Sequence, residues 1–141
     1  MKKDERDLLE VLQAELQFLE MGGYRETARA DWRPQFIFQD SPTCLNFDPA
    51  RPPKHCQDCV LAQLVPEKLR TQKIACRYIP LNPLGDTIDT YYRTGTQQDL
   101  EDAVRQWLLY TIARLRRERA EAGQASRYPE LHTRAKSATS R

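Results

Sequence analysis

Residues 76–93 read CRYIPLNPLGDTIDTYYR, and the fold class turns on how this stretch is read. Two runs, 76–81 and 87–93, carry β-branched and aromatic residues and flank NPLGD, with Gly85-Asp86 at the turn. That pattern predicts a β-hairpin of roughly 76–81 against 87–93. Upstream, QFIF (35–38) reads as a further short strand. Helices on either side of these strands make the expected class α+β: a small, metal-clipped hairpin and loop centre between an N-terminal and a long C-terminal amphipathic helix.

The centre, 24–95, differs in texture from its flanks. Eight of the nine prolines lie between Pro34 and Pro83. Proline removes a backbone donor and fixes φ, so long regular elements are interrupted here. SPTC (41–44) and DPARPPKHC (48–56) read as turns and loop, and CVLAQLV (59–65) as a short helix ended by Pro66. PEKLR (66–70) reads as another turn with proline at its first position.

Outside the centre, residues 4–21 predict a helix. Leu9, Leu12, Leu16 and Leu19 repeat at a/d spacing, and Leu8, Val11 and Phe18 widen the apolar face. Asp4, Glu5 and Asp7 suit the positive end of its dipole. Gly22 is free to take the left-handed conformation that ends a helix. Two heptads are too few for a coiled coil, so the stripe is assigned to the protein's own core, with a partner or second copy as the alternative.

A second helix is expected over 97–122. Thr96 is its N-cap, with Asp99 as the return partner in a capping box. Leu100, Val104, Trp107, Leu108, Thr111 and Leu115 share one face, and Gly123 is the expected stop. Arg114, Arg116, Arg117 and Arg119 suit the negative end of that helix. Residues 124–141 read as a flexible basic tail, which leaves 1–123 as a single domain. No internal repeat is found.

The chain has 141 residues and a net charge of +2. Its mean hydropathy of −0.74 allows only a modest core, which a metal clip would support. The charge is unevenly spread: residues 1–21 carry −3, 22–113 carry zero and 114–141 carry +5. No apolar run approaches the ~20 residues of a membrane span. The N-terminus lacks the apolar segment of a secretory signal, so a cytoplasmic location is expected. In a reducing compartment, four cysteines at metal-like spacing are ligands more often than disulfides.

Those cysteines are Cys44, Cys56, Cys59 and Cys76, separated by 11, 2 and 16 residues. KHCQDC (54–59) carries the sharpest chemistry, because two intervening residues let one tight turn aim both thiols at a single ion. The two lone cysteines can reach the same ion through flexible, proline-rich segments. Four thiolates closing a tetrahedron are the pattern of structural, zinc finger-like zinc. An iron–sulfur cluster uses the same donor set and is the alternative. Ordinary buried thiols or a redox pair are a third reading, although PARPPKHC is not the strand that normally precedes a redox Cys-x-x-Cys. His55 replaces Cys44 only in a minor version of the site, Asp58 is read as a turn cap, and His132 receives no role.

Catalytic equipment is sparse. No Gly-rich phosphate loop, G-x-S-x-G or H-E-x-x-H is present, and the Asp86/Asp89 pair reads as solvated surface. Four cysteines would also close a zinc ion against substrate. The expected function is therefore a non-catalytic binding protein: an adaptor, accessory subunit or regulator with a structural zinc site and a protein partner. Trp32, Phe36, Phe38, Tyr91, Tyr92 and Trp107 serve equally as interface anchors or core. One alternative is a basic zinc-containing nucleic-acid-binding protein that uses Arg114, Arg116, Arg117 and Arg119, with Tyr128 stacking on a base. The other is an iron–sulfur electron carrier or sensor.

Overall fold

The computed structural model describes residues 4–26 and 36–127. Among them there is no β-strand. The elements are α1 (Leu8–Glu20), the single turn α2 (Gly23–Glu26), α3 (Ile88–Thr94) and α4 (Gln97–Arg127). Between α2 and α3 lie loops and four short 3-10 turns, at Cys56–Asp58, Val60–Leu64, Glu67–Leu69 and Ala75–Tyr78. The α+β expectation is thus corrected to an all-helical fold with an irregular centre.

The hairpin fails at both arms. The first arm is the 3-10 turn Ala75–Tyr78 followed by extended chain. The second is α3, because Thr87 and Thr90 form a reciprocal capping box. The Thr87 side chain accepts from the Thr90 N–H at 3.2 Å, and the Thr90 hydroxyl accepts from the Thr87 N–H at 3.0 Å. Asp89 and Arg93, four residues apart, pair at 2.8 Å, an arrangement that only a helix brings together. The turn between the arms exists: Gly85 has φ +84° and donates its N–H to the Asn82 carbonyl at 3.0 Å. A single backbone bond crosses it, Leu81 N–H to the Asp86 carbonyl at 2.7 Å, and no ladder follows.

The QFIF strand is likewise absent. Gln35 lies outside the described residues, and Phe36–Phe38 enter a turn in which Phe38 has φ +66°. Tertiary contacts hold that conformation. The Phe38 ring meets Trp107 edge-on, and its N–H donates to the Tyr24 hydroxyl at 2.9 Å. Ile37 donates its N–H to the Tyr92 hydroxyl, also at 2.9 Å, which docks the segment on α3.

The two outer helices differ from expectation at their ends. Asp7 caps α1 by accepting from the Glu10 N–H at 3.1 Å, so the helix begins at Leu8 rather than residue 4. Gly22, at φ +75°, closes it. Thr96 and Asp99 exchange hydrogen bonds at 3.1 and 3.0 Å and start α4. Gly123 does not stop α4, which continues to Arg127. Its surroundings are open, so no tertiary contact forces a break there. The proposed tail from residue 124 therefore begins as helix, and 128–141 lie outside the described residues, as does Trp32.

α1 lies along α4, and α3 packs on α4 and on the Ala75–Tyr78 turn. Leu12 and Leu19 of α1, Leu100, Val104, Trp107 and Leu108 of α4, and Ile88 of α3 share one core with Phe38, Leu61, Val65 and Ile79 from the centre. Each such side chain contributes about 1.5–3 kcal/mol on burial. No helix among the described residues is long and apolar enough to cross a membrane.

Candidate metal centre

The four cysteines sit on three separate turns, and side-chain clamps bring those turns together. Cys44 ends a turn in which its N–H donates to the Ser41 carbonyl at 3.0 Å. Two residues on, the Asn46 amide donates to the Lys54 carbonyl at 2.9 Å and accepts from the Lys54 N–H at 2.7 Å. This two-way bond ties the Cys44 loop to the start of KHCQDC. In that stretch, Asp58 N–H donates to His55 and Cys59 N–H to Cys56, at 3.0 and 3.1 Å. The resulting tight turn carries Cys56 and Cys59. Cys76 lies in the Ala75–Tyr78 turn, which packs on both Cys56–Asp58 and Val60–Leu64.

The chain ahead of α1 supplies a second clamp. Asp4 donates its N–H to the Asp58 carbonyl at 3.1 Å, and its carboxylate accepts from the Val60 N–H at 2.9 Å. Arg6 grips the same carboxylate at 2.9–3.2 Å and donates to the Thr43 carbonyl at 2.6 Å. Asp4 and Arg6 thus bind the Cys44 loop to the Cys56–Cys59 turn. Burial alone would raise the Asp4 pKa, but the bonds from Arg6 and the Val60 N–H hold it below the usual carboxylate value. Sequence reading gave Asp4 a helix-dipole role and Arg6 none, since neither clamp leaves a periodic signal.

Beneath Cys44 lies a buried polar cluster. Glu15 is 1% exposed. Its carboxylate accepts from the Tyr24 hydroxyl at 2.5 Å and from the Thr43 hydroxyl. Burial pushes the Glu15 pKa up, and burial together with the Glu15 charge pushes Tyr24 well up. A visible signal existed: Glu15 falls on the apolar face of α1, between Leu12 and Leu19.

All four cysteines line one cavity of about 860 Å³, with Phe38, Leu61, Ile74, Asn46 and His55 among its other walls. All four are free thiols at intermediate exposure. Burial raises the pKa values of Cys44 and Cys59, and raises Cys76 most, each thiol being disfavoured as an anion by its cysteine neighbours. Two groups pull the other way. Backbone N–H groups two residues on, at Asn46 and Leu61, donate to Cys44 and Cys59, and the Arg6 charge favours both thiolates. The donor set therefore fits a thiophilic metal, whose positive charge would relieve the mutual repulsion of four clustered thiolates. Among the described residues, however, no group of three or more His, Cys, Asp or Glu side chains is placed to hold a metal ion. The sulfurs share a cavity without meeting at one point.

The other candidate residues have local partners. Asp86 accepts from the Asn82 amide at 3.0 Å, and Asp89 pairs with Arg93. Arg114 pairs with Glu118 at 2.9 Å, and Arg119 pairs with Asp7 across to α1. Gln13, with its amide oxygen turned toward Arg116, accepts from that guanidinium at 2.6 Å. Arg117 is exposed. Tyr128 and His132 lie outside the described residues. Comparison with protein families, curated proteins and solved structures finds no match to this chain.

Proposed function

We propose that this chain is a non-catalytic binding protein, an adaptor, accessory subunit or regulator, whose irregular centre is fixed by a metal held at Cys44, Cys56, Cys59 and Cys76. The observation that supports this reading is that all four cysteines, carried on three separate turns, line one cavity. Regular hydrogen-bonded structure is thin there, so a metal bound only by the folded site adds its binding free energy to the fold. Cys44, Cys56, Cys59 and Cys76 would each give up a proton and supply one thiolate. Asn46 and Leu61 N–H groups and Arg6 would steady the sulfur charge.

A nucleic-acid role is the weaker reading. Arg119 and Arg116 face α1 partners and Arg114 faces Glu118, so three of the four arginines offered for phosphate already have local anions or acceptors. Metal analysis of protein purified under nitrogen tests the preferred reading. Bound metal in the native protein, lost in Cys59→Ser, is the expected result. Native protein that neither carries nor takes up thiophilic metal would refute it.

A further inference from the structure

We propose that the outer face of α4 binds the same face of a second copy of this chain, the two helices running antiparallel about a twofold axis between Leu109 and Tyr110. This goes beyond the metal reading and does not depend on it. Val104 and Leu108 turn one side of α4 into the core, while Asp102, Gln106, Leu109, Tyr110, Ala113 and Arg117 are exposed on the other. At 3.6 residues per turn those six positions form one stripe. Leu109 is 51% exposed and Tyr110 67%, so two large apolar side chains sit side by side at its middle. A twofold contact sets residue i of one copy against residue j of the other, and j against i. The stripe meets that condition. Asp102 precedes Leu109 by seven residues and Arg117 follows Tyr110 by seven, and Gln106 and Ala113 stand three away on the same two sides.

An antiparallel pair centred there sets each Asp102 opposite the Arg117 of the other copy, at both ends of the seam. Leu109 and Tyr110 of both copies meet at its centre. Parallel pairing would instead set Asp102 against Asp102 and Arg117 against Arg117, and like charges facing each other are unfavourable. The acidic end also has a recess for the incoming arginine: Asp102 lines an open groove of about 360 Å³ together with Asp99, Tyr91 and Gln106. Within the chain, the Asp99 carboxylate accepts from the Thr96 N–H at 3.1 Å, and Asp102 accepts from the Gln98 amide at 3.0 Å and pairs with Arg105 at 3.3 Å. Two carboxylates against one guanidinium leave that end net negative. At the other end Arg117 has no ion pair among the described residues, whereas Arg114 and Arg119 do. Exposed ion pairs each add little, so Leu109 and Tyr110 supply the apolar area, tyrosine being a frequent interface anchor. One pair of helices makes a small interface, and the dimer is accordingly weak and reversible.

The test is sedimentation equilibrium of the full chain at low salt, from micromolar to millimolar protein. We expect the mass to rise from 16.5 kDa toward twice that value with concentration, and association to weaken as salt is added. Tyr110→Asp should weaken association by about ten-fold or more. Asp102→Arg and Arg117→Asp should each weaken it several-fold. The double exchange should restore it, because the two charges then swap ends. All three positions are exposed, and circular dichroism checks that each variant keeps its helices. A chain that stays monomeric throughout would overturn the proposal and leave the face to a different partner. Dimers untouched by Tyr110→Asp would overturn the α4 contact, and a double exchange that fails to restore association would overturn the antiparallel register.

Discussion

Cys59 and His55 separate the roles within KHCQDC. Cys59 shares the cavity with three other thiols and accepts from the Leu61 N–H, whereas His55 lies at the rim of the same turn. Replacing Cys59 with serine should lower the melting temperature by on the order of 10 °C and abolish its sensitivity to chelator. His55→Ala should shift it little. Equal melts for native protein and Cys59→Ser, both indifferent to chelator, would exclude a structural metal. Glu15 makes a second residue-scale prediction. Its folded pKa is raised by burial, so its contribution to stability is fully present below the unfolded carboxylate pKa. That contribution is lost as pH rises through the folded value. The stability of native protein relative to Glu15→Gln should therefore fall as pH rises from the acid side toward neutrality. Urea midpoints of the pair across that range check the sign, and a difference constant with pH would refute it. The residue-level site was partly legible in sequence: cysteine spacing named the four thiols that share the cavity. It did not name Asp4, Arg6 or Asn46, because hydrogen bonds between segments dozens of residues apart leave no spacing rule.

At the scale of elements, the informative error is α3. TIDTYYR carries β-branched and aromatic residues, so strand propensity and the nearby turn both pointed to a hairpin. Propensity lost to capping and to packing: Thr87 and Thr90 start a helix, and Ile88 is fully buried in the shared core. Thr87→Ala should therefore cost about 1 kcal/mol, whereas a hairpin arm would scarcely register the loss of this hydroxyl. Leu108 tests the other helix contact. It is 0% exposed on α4, so Leu108→Ala should cost about 2–5 kcal/mol by denaturant unfolding. A cost under about 1 kcal/mol would mean that the α4 face is not core. The α1 and α4 stripes were readable because a 3.6-residue period survives any tertiary context. The end of α4 was not, because a solvent-facing glycine such as Gly123 weakens a helix without compelling it to stop.

For the whole molecule, two regular helices form a scaffold, and the irregular centre is bound to it by a shared apolar core and by the Asp4, Arg6 and Glu15 contacts. The backbone hydrogen bonds of that centre close short turns rather than long regular elements, and the metal we propose at Cys44, Cys56, Cys59 and Cys76 is what we expect to make it rigid. Hydrogen–deuterium exchange with and without metal tests this most directly. Removing the metal should raise exchange several-fold within residues 40–80 while 8–20 and 100–115 stay protected. An exchange map that is the same in both states would contradict the metal clip.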